Sequence, residues 1–197
     1  PEIDPGPGDT FQSYDLPWAN ASNTPFRLHK RWTHEGGIST PFIMSWPSNT
    51  SEPRLLHRPA HIVDIGATIY DAAGATYPDE LNGNPLTPLE GESFLTVFDG
   101  VEFTRQAPIC WEHEGNRAVR MGDWKLVSEG NTRWELYNMA DDRTELNDLS
   151  RSERERVTEM SEVYKKWAAH TGALPWPVGT GGMACPRPGT KHIHDVD

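Results

Sequence analysis

The chain has no run of eighteen apolar residues, so its sequence offers no membrane-spanning helix. Cysteine is almost missing: Cys110 and Cys185 alone, in 197 residues, cannot build a disulfide framework. Positive charge is scarce as well, with 18 Lys and Arg against 29 Asp and Glu and a formal net charge of -11. That balance argues against nonspecific nucleic-acid binding, which is driven by neutralising phosphates. It also means that an anionic ligand has to be received by a local cationic cluster rather than by the field of the whole surface. His29, Lys30, Arg31 and His34 supply such a cluster. The sequence opens at Pro1 with neither an initiator methionine nor a signal peptide, which fits a fragment of a longer protein.

What is present falls into two parts. Residues 1 to about 29 are rich in Pro, Gly, Asp and Ser without a sustained apolar period and read as a long loop, in which Trp18 and Phe26 could meet a substrate or a neighbouring domain. Gly36 and Gly37 permit a sharp turn and a close backbone approach. Pro41 and Pro47 bracket the apolar run Phe42 to Trp46, whose length suits a strand. Ile62, Ile65, Ile69 and Ala73 recur at helical spacing before Gly74, which predicts an amphipathic helix with Asp64 placed favourably in its first turn. Asn82-Gly83 signals a turn in the loop that follows.

From about Gln106 short apolar runs follow quickly. Ala107–Glu112, Arg117–Arg120, Trp124–Ser128 and Trp134–Asn138 are separated by Gly-containing hairpin signals, which predicts a four-stranded antiparallel sheet. Cys110, inside the first strand, reads as a buried free thiol. Ser150 and Glu153 have the spacing of a capping box, and Val157, Met160, Tyr164, Trp167 and Ala168 mark one face of the ensuing helix. Residues 178–197, with Cys185 and the pair His192 and His194, carry no core pattern and read as an irregular tail. Asn20-Ala-Ser22 and Asn49-Thr-Ser51 match glycosylation acceptors, a triplet common by chance.

Four blocks, in one order, resemble the C-terminal half of type I sulfatases. They are Lys30-Arg-Trp-Thr-His-Glu-Gly-Gly-Ile-Ser-Thr-Pro-Phe-Ile-Met-Ser-Trp-Pro47, His61 through Ala75, Asn116 through Val127, and Trp134 through Leu149. Two departures are local: Arg143 stands where a proline is common, and Ser39-Thr40 replaces the more usual arginine before the proline. The resemblance implies an α/β fold in which residues 1–105 end an alkaline phosphatase-like α/β domain and residues 106–177 add the sheet-plus-helix subdomain. It also implies a formylglycine nucleophile, made from a Cys- or Ser-x-Pro-x-Arg motif, and a calcium ion. No such motif occurs here, since Cys185-Pro-Arg-Pro188 has the wrong spacing. Asp4 and Asp9 have no adjacent Asn and do not reproduce the family's Asp-Asn ligand pair, so calcium ligands and nucleophile are expected upstream of Pro1.

By that resemblance Lys30 is the catalytic candidate, contacting sulfate oxygens and the leaving-group side. A fixed ammonium suits a rounded anion whose charge moves during cleavage. His113 is a substrate-binding candidate, its neighbours Glu112 and Glu114 favouring a cationic imidazole; Asn116 and His34 are further candidates, with His29, Trp32 and Arg117 behind them, while Glu35 with Gly36 orders the turn. The implied partners are a sulfated small molecule or carbohydrate and the N-terminal catalytic domain; export to the periplasm, cell exterior or lysosome follows by analogy. A phosphonate or phosphate monoester hydrolase of the same superfamily, or a noncatalytic interaction module, are the competing readings, and the sequence upstream of Pro1 separates them.

Overall fold

A computed structural model describes residues 15–49 and 52–176. In chain order its elements are α1 (Asp15–Asn23), the single turn α2 (Glu35–Ile38), α3 (Ile62–Ala72), the two-residue strands β1 (Glu80–Leu81) and β2 (Asn84–Pro85), a 3₁₀ turn (Leu95–Asp99), β3 (Ile109–His113), β4 (Asn116–Met121), β5 (Trp124–Ser128), β6 (Glu135–Asn138) and α4 (Arg154–Thr171). They fall into two compact units, one holding the residues through Thr40 and those from Cys110 onward, the other Pro41–Ile109. This division differs from a cut near residue 105, because the segment carrying Lys30 packs with the sheet. No helix among the described residues is long and apolar enough to cross a membrane.

The first unit is built on the antiparallel meander β3-β4-β5-β6. Its hairpins form where glycine was expected: Glu114 and Gly115 both take positive φ (51° and 83°), as does Gly122 at 57°, matching the right-handed twist of the flanking strands. Because side chains alternate across a strand, each strand feeds two faces. One face contributes Cys110, Val119, Leu126 and Leu136, which with Met160 and Tyr164 of α4 form one apolar cluster, with Val157, Trp167 and Ala168 packed against it. The sheet and helix therefore bury one another as the periodicity of α4 predicts. Cys110 is buried in this cluster.

The start of α4 lies later than a Ser150 cap would place it. Ser152 and Glu153 both donate their backbone N–H groups to Leu149 O, at 3.1 and 2.9 Å, so the chain is still turning there. Arg154 is the first helical residue, and Glu153 makes no side-chain cap bond.

The opposite face carries Ala118, Val127, Tyr137 and Met139 as a second cluster. Two cross-strand rows line it: Arg120, Lys125 and Tyr137, then Ala118, Val127 and Glu135. The segment 26–39 lies on this face. α1 occupies part of the stretch expected to be loop, and residues 1–14 and 177–197, including the expected tail, lie outside the described residues.

In the second unit, α3 begins and ends as its sequence predicts, with Gly74 at φ 60° after the last turn. Its buried side is not the isoleucine stripe. Ile62 and Ile69 are 75% and 62% exposed, while Asp64 and Thr68, one turn apart, are buried. Asp64 accepts hydrogen bonds from His61 N at 2.7 Å and Glu92 N at 2.8 Å and is paired with Arg105. Burial lowers the pKa of His61, against the raising effect of Asp64. Thr68 Oγ1 donates to Asp64 O and accepts from Phe94 N, at 2.7 and 3.1 Å. The helix is thus held by polar bonds to the 92–105 segment.

Phe42–Trp46 forms no strand. An extended segment becomes one only when a neighbour takes its hydrogen bonds, and none of the described residues does so. Phe42 and Trp46 instead set their rings edge-on to Phe94 and Phe98, at 6.0 and 5.3 Å between centroids. Asn82-Gly83 does turn the chain, closing the β1-β2 hairpin with both residues at positive φ.

Candidate functional site: a strained loop fixed to the sheet

Residues 26–39 wind so tightly that two glycines are obligatory. A Cβ added at Gly37 would lie 1.9 Å from Trp32 O, and one at Gly36 2.2 Å from Leu28 O. Gly36 N donates to Arg27 O at 3.2 Å and Gly37 N to His34 O at 2.8 Å. The winding puts Leu28 at φ 65° and Arg31 at φ 119°, positions where a non-glycine side chain is strained. Such conformations persist only where the surroundings over-determine them.

Those surroundings are a set of buried ionic contacts. Lys125 is fully buried on β5, and its Nζ lies 2.9 Å from Glu35 Oε1 and 2.8 Å from Glu145 Oε1. Glu35 and Glu145 are 3% and 0% exposed. Glu145 Oε2 also accepts from Glu35 N at 2.9 Å, so one carboxylate binds both the ammonium and the loop backbone. Three buried charges are tolerable only because the Lys125 ammonium lies within hydrogen-bond distance of both carboxylates. Burial lowers the pKa of the neighbouring Arg120, while Glu35 works to raise it.

A second set fixes the loop's start. Arg27 Nη1 donates to Glu145 O at 2.8 Å and to Tyr137 Oη at 3.3 Å. Arg27 Nη2 lies 3.4 Å from His34 Nε2 and 3.6 Å from Glu135 Oε2. Glu135 accepts from Tyr137 Oη at 2.7 Å. The His34 hydrogen bond, then the Tyr137 bond and the Arg27 charge, pull the Glu135 carboxyl down to about 2 against its desolvation. Burial, helped by Glu135, pushes the Tyr137 phenol up.

The middle is held by the β3-β4 hairpin. Asn116, fully buried, donates both amide protons, to Arg31 O at 3.2 Å and His113 O at 3.0 Å, and accepts from Gly130 N at 3.1 Å. Arg31 pairs with Glu114 at 2.9 Å, and Trp32 Nε1 donates to Glu129 at 3.1 Å.

Lys30 stands apart from all of this. It is exposed, and its ammonium has no hydrogen-bond or ion-pair partner among the described residues. Both chain neighbours are engaged: the His29 ring stands edge-on to Trp32 with centroids 4.6 Å apart, and Arg31 is held by Glu114. Of the other sequence candidates, His113 is exposed at the end of β3 and shares the Asn116 amide with Arg31. Its flanking carboxylates are directed elsewhere, Glu112 Oε1 to Gly115 N at 2.9 Å and Glu114 to Arg31. Asn116 commits its amide to three backbone groups, and His34 is only 1% exposed, between Arg27 and Glu135. Thus the fold brings His113 and Asn116 to the Lys30 loop and sets His34 beneath it.

Sequence reasoning missed Lys125, Glu145, Arg27 and Glu135. Lys125 carried a readable signal, since period-two alternation puts it on one face with Val127 in the otherwise apolar run Trp124–Val127. The two local departures of the sequence meet here: Arg143 Nη2 donates to Ser39 Oγ at 3.4 Å and lies 3.8 Å from Glu35 Oε2.

Residues 26–169 match the family described as N-sulphoglucosamine sulphohydrolase, C-terminal. An uncharacterized sulfatase of Schizosaccharomyces pombe is 29% identical over 176 residues, 86% of this chain and 32% of that protein. The arylsulfatase of Klebsiella aerogenes is 31% identical over 101 residues, 51% of this chain and 22% of that protein. The crystal structure of Ps i-CgsB superposes with a TM-score of 0.63 at 26% identity, covering 74% of this chain and 32% of that one. The chain thus spans between about a fifth and a third of the length of these relatives. A Bacteroides thetaiotaomicron protein, BT33336S-sulf, with a TM-score of 0.62 at 20% identity, shares the fold. With the family match running from the Lys30 loop through the sheet and into α4, the chain belongs to the sulfatases, as their C-terminal region of the N-sulphoglucosamine sulphohydrolase type.

Proposed function

We propose that this chain is the C-terminal part of a sulfate ester hydrolase in which Lys30 holds a fixed positive charge against the sulfate group. One observation carries the reading: an exposed, unpaired ammonium sits on a strained loop that Arg27, Glu35 and the Arg31 carbonyl tie to the sheet. A loop anchored through Lys125, Arg27 and Asn116 has little freedom to reorganise when charge develops on the substrate. A preorganised donor of this kind typically contributes about 10²-fold to 10³-fold in rate. His113, exposed beside the loop, is the second group proposed to face the substrate. Asn116 and His34 act through the loop, because the Asn116 amide serves Arg31 and His34 is buried with its Nε2 against Arg27.

Among the described residues no three His, Cys, Asp or Glu side chains converge to hold a metal ion. The calcium and formylglycine belong, in this proposal, to the rest of the protein. The substrate class is a sulfated carbohydrate. Ps i-CgsB, whose fold this chain shares, has been crystallised with k-i-k-neocarrahexaose. The test is a panel of nitrophenyl esters presented to the intact protein. Hydrolysis of the sulfate with little action on the phosphate or phosphonate supports the reading; preference for the phosphorus esters assigns the other hydrolase class, and no hydrolysis of any ester leaves an interaction module.

A further inference from the structure

On the α4 face of the sheet, away from the Lys30 loop, a small open groove of about 140 Å³ is lined by Glu112, Arg117, Asn131, Tyr164 and Trp176 among others. Its chemistry is unusual for a packing defect. The Arg117 guanidinium lies 4.4 Å over the Trp134 ring and 5.9 Å from that of Tyr164, and it joins no ion pair among the described residues. Its Nη2 donates to Ser128 Oγ and Thr132 O, at 3.4 and 3.2 Å, which fixes the group in place. Its Nε–H is buried without an acceptor, and so is the Nε1–H of Trp176. Burial lowers the Arg117 pKa, the response of a cation short of counter-charge.

Trp176 is itself positioned. Asn131 Nδ2 donates to Trp176 O at 2.9 Å, and the indole packs over Gly115, where an added Cβ would come within 3.0 Å of it. Two buried donors in one groove, each costly to leave unmatched, ask for an acceptor, and the aromatic rings ask for a flat apolar face beside it.

We propose that this groove is a second carbohydrate-binding site, taking a pyranose unit that carries an oxyanion. The ring lies on the Trp176 and Tyr164 side chains, and its carboxylate or sulfate accepts from Arg117 Nε and Trp176 Nε1. Glu112 Oε1 is already occupied by Gly115 N, which leaves Oε2 to accept from a sugar hydroxyl. A site on this face would hold a long chain at a unit distant from the one being cleaved. The proposal goes beyond the reaction and does not depend on Lys30.

The test is calorimetric titration of the intact protein with three oligosaccharides: one bearing uronate and no sulfate, one bearing sulfate esters, and one neutral. Expected is binding of at least one charged oligosaccharide, tighter than the neutral one. Trp176→Ala should weaken that binding at least about tenfold, the scale of a lost hydrogen bond to a charged group. Trp176→Phe, which keeps a ring and removes the N–H, should weaken it less than Trp176→Ala but measurably. Hydrolysis of a nitrophenyl sulfate should be unchanged in both variants, and their unfolding transitions should match the parent. Preference for uronate or for sulfate identifies the source of the oxyanion. Charged oligosaccharides that bind both variants as tightly as the parent, equal binding of the neutral one, or no binding at all would overturn the proposal. Because the readout is affinity, an intact protein inactive on every ester leaves this test in force.

Discussion

Replacing Lys125 with methionine removes the one cation that two buried carboxylates share. Methionine fills nearly the same volume, so the perturbation is electrostatic. Glu35 would keep Arg143, at 3.8 Å, and the nearby Arg120, and Glu145 would keep the backbone N–H of Glu35 at 2.9 Å. Breaking a buried ion pair from one side costs roughly 3–5 kcal/mol, because the remaining charge has lost its compensation. That is a large share of the roughly 5–15 kcal/mol that holds a typical domain together. The loss falls on the loop first, since Glu35 lies in its last turn. Hydrogen exchange of the backbone N–H groups of Glu35, Gly36 and Gly37 reads it directly in the intact protein, and a loss of protection of roughly 10²-fold or more corresponds to that free energy. A triple variant with Lys125→Met, Glu35→Gln and Glu145→Gln should recover much of the protection, because neither buried carboxylate is then left without its ammonium. Protection in Lys125→Met within about threefold of the parent would refute the argument that this triad fixes the loop.

Three further outcomes follow from the same geometry. Gly37→Ala drives a methyl group to 1.9 Å from Trp32 O, so the loop must open; turnover by the intact protein should fall at least about tenfold, while α4 keeps its exchange protection. Asn116→Ala removes an amide serving three backbone groups and should destabilise the sheet unit by about 2–4 kcal/mol, measured by denaturant unfolding; a loss under about 0.5 kcal/mol would contradict its role. Glu135 titrates near 2 when folded against 4.5 as a free side chain, so its stabilisation is complete above about 4.5 and disappears as pH falls from there towards 2. Discounted for its partial exposure this amounts to about 2 kcal/mol, and Glu135→Gln should show a correspondingly shallower acid destabilisation between those pH values.

Much of the sheet was legible because its signals are local. Gly115 and Gly122 mark turns, and alternation in Trp124–Ser128 separates a face for α4 from a face for the loop. The helix face of α4 was readable for the same reason, but its first residue was not, since Ser150 and Glu153 have capping spacing while the chain between them is still turning about Leu149. Phe42–Trp46 shows the limit of composition: its apolar residues meet aromatic partners instead of a neighbouring strand. The stripe Ile62, Ile65 and Ile69 predicts a helix correctly and its buried side incorrectly, because Asp64 and Thr68 make the bonds that hold it. At the site, Lys30 and the Gly36-Gly37 turn were readable from the motif. The anchoring pairs were not, since Glu35 meets Lys125 across 90 residues and Arg27 meets Glu145 across 118.

The central claim is that an ammonium carried on this anchored loop acts on the sulfate, and Lys30→Ala in the intact protein tests it most directly. The account predicts that kcat for sulfate ester hydrolysis falls about 10²-fold to 10³-fold, with the unfolding transition and the exchange protection of Gly36 and Gly37 unchanged, because Lys30 has no partner among the described residues. Parent-like kcat in a folded Lys30→Ala variant would contradict it.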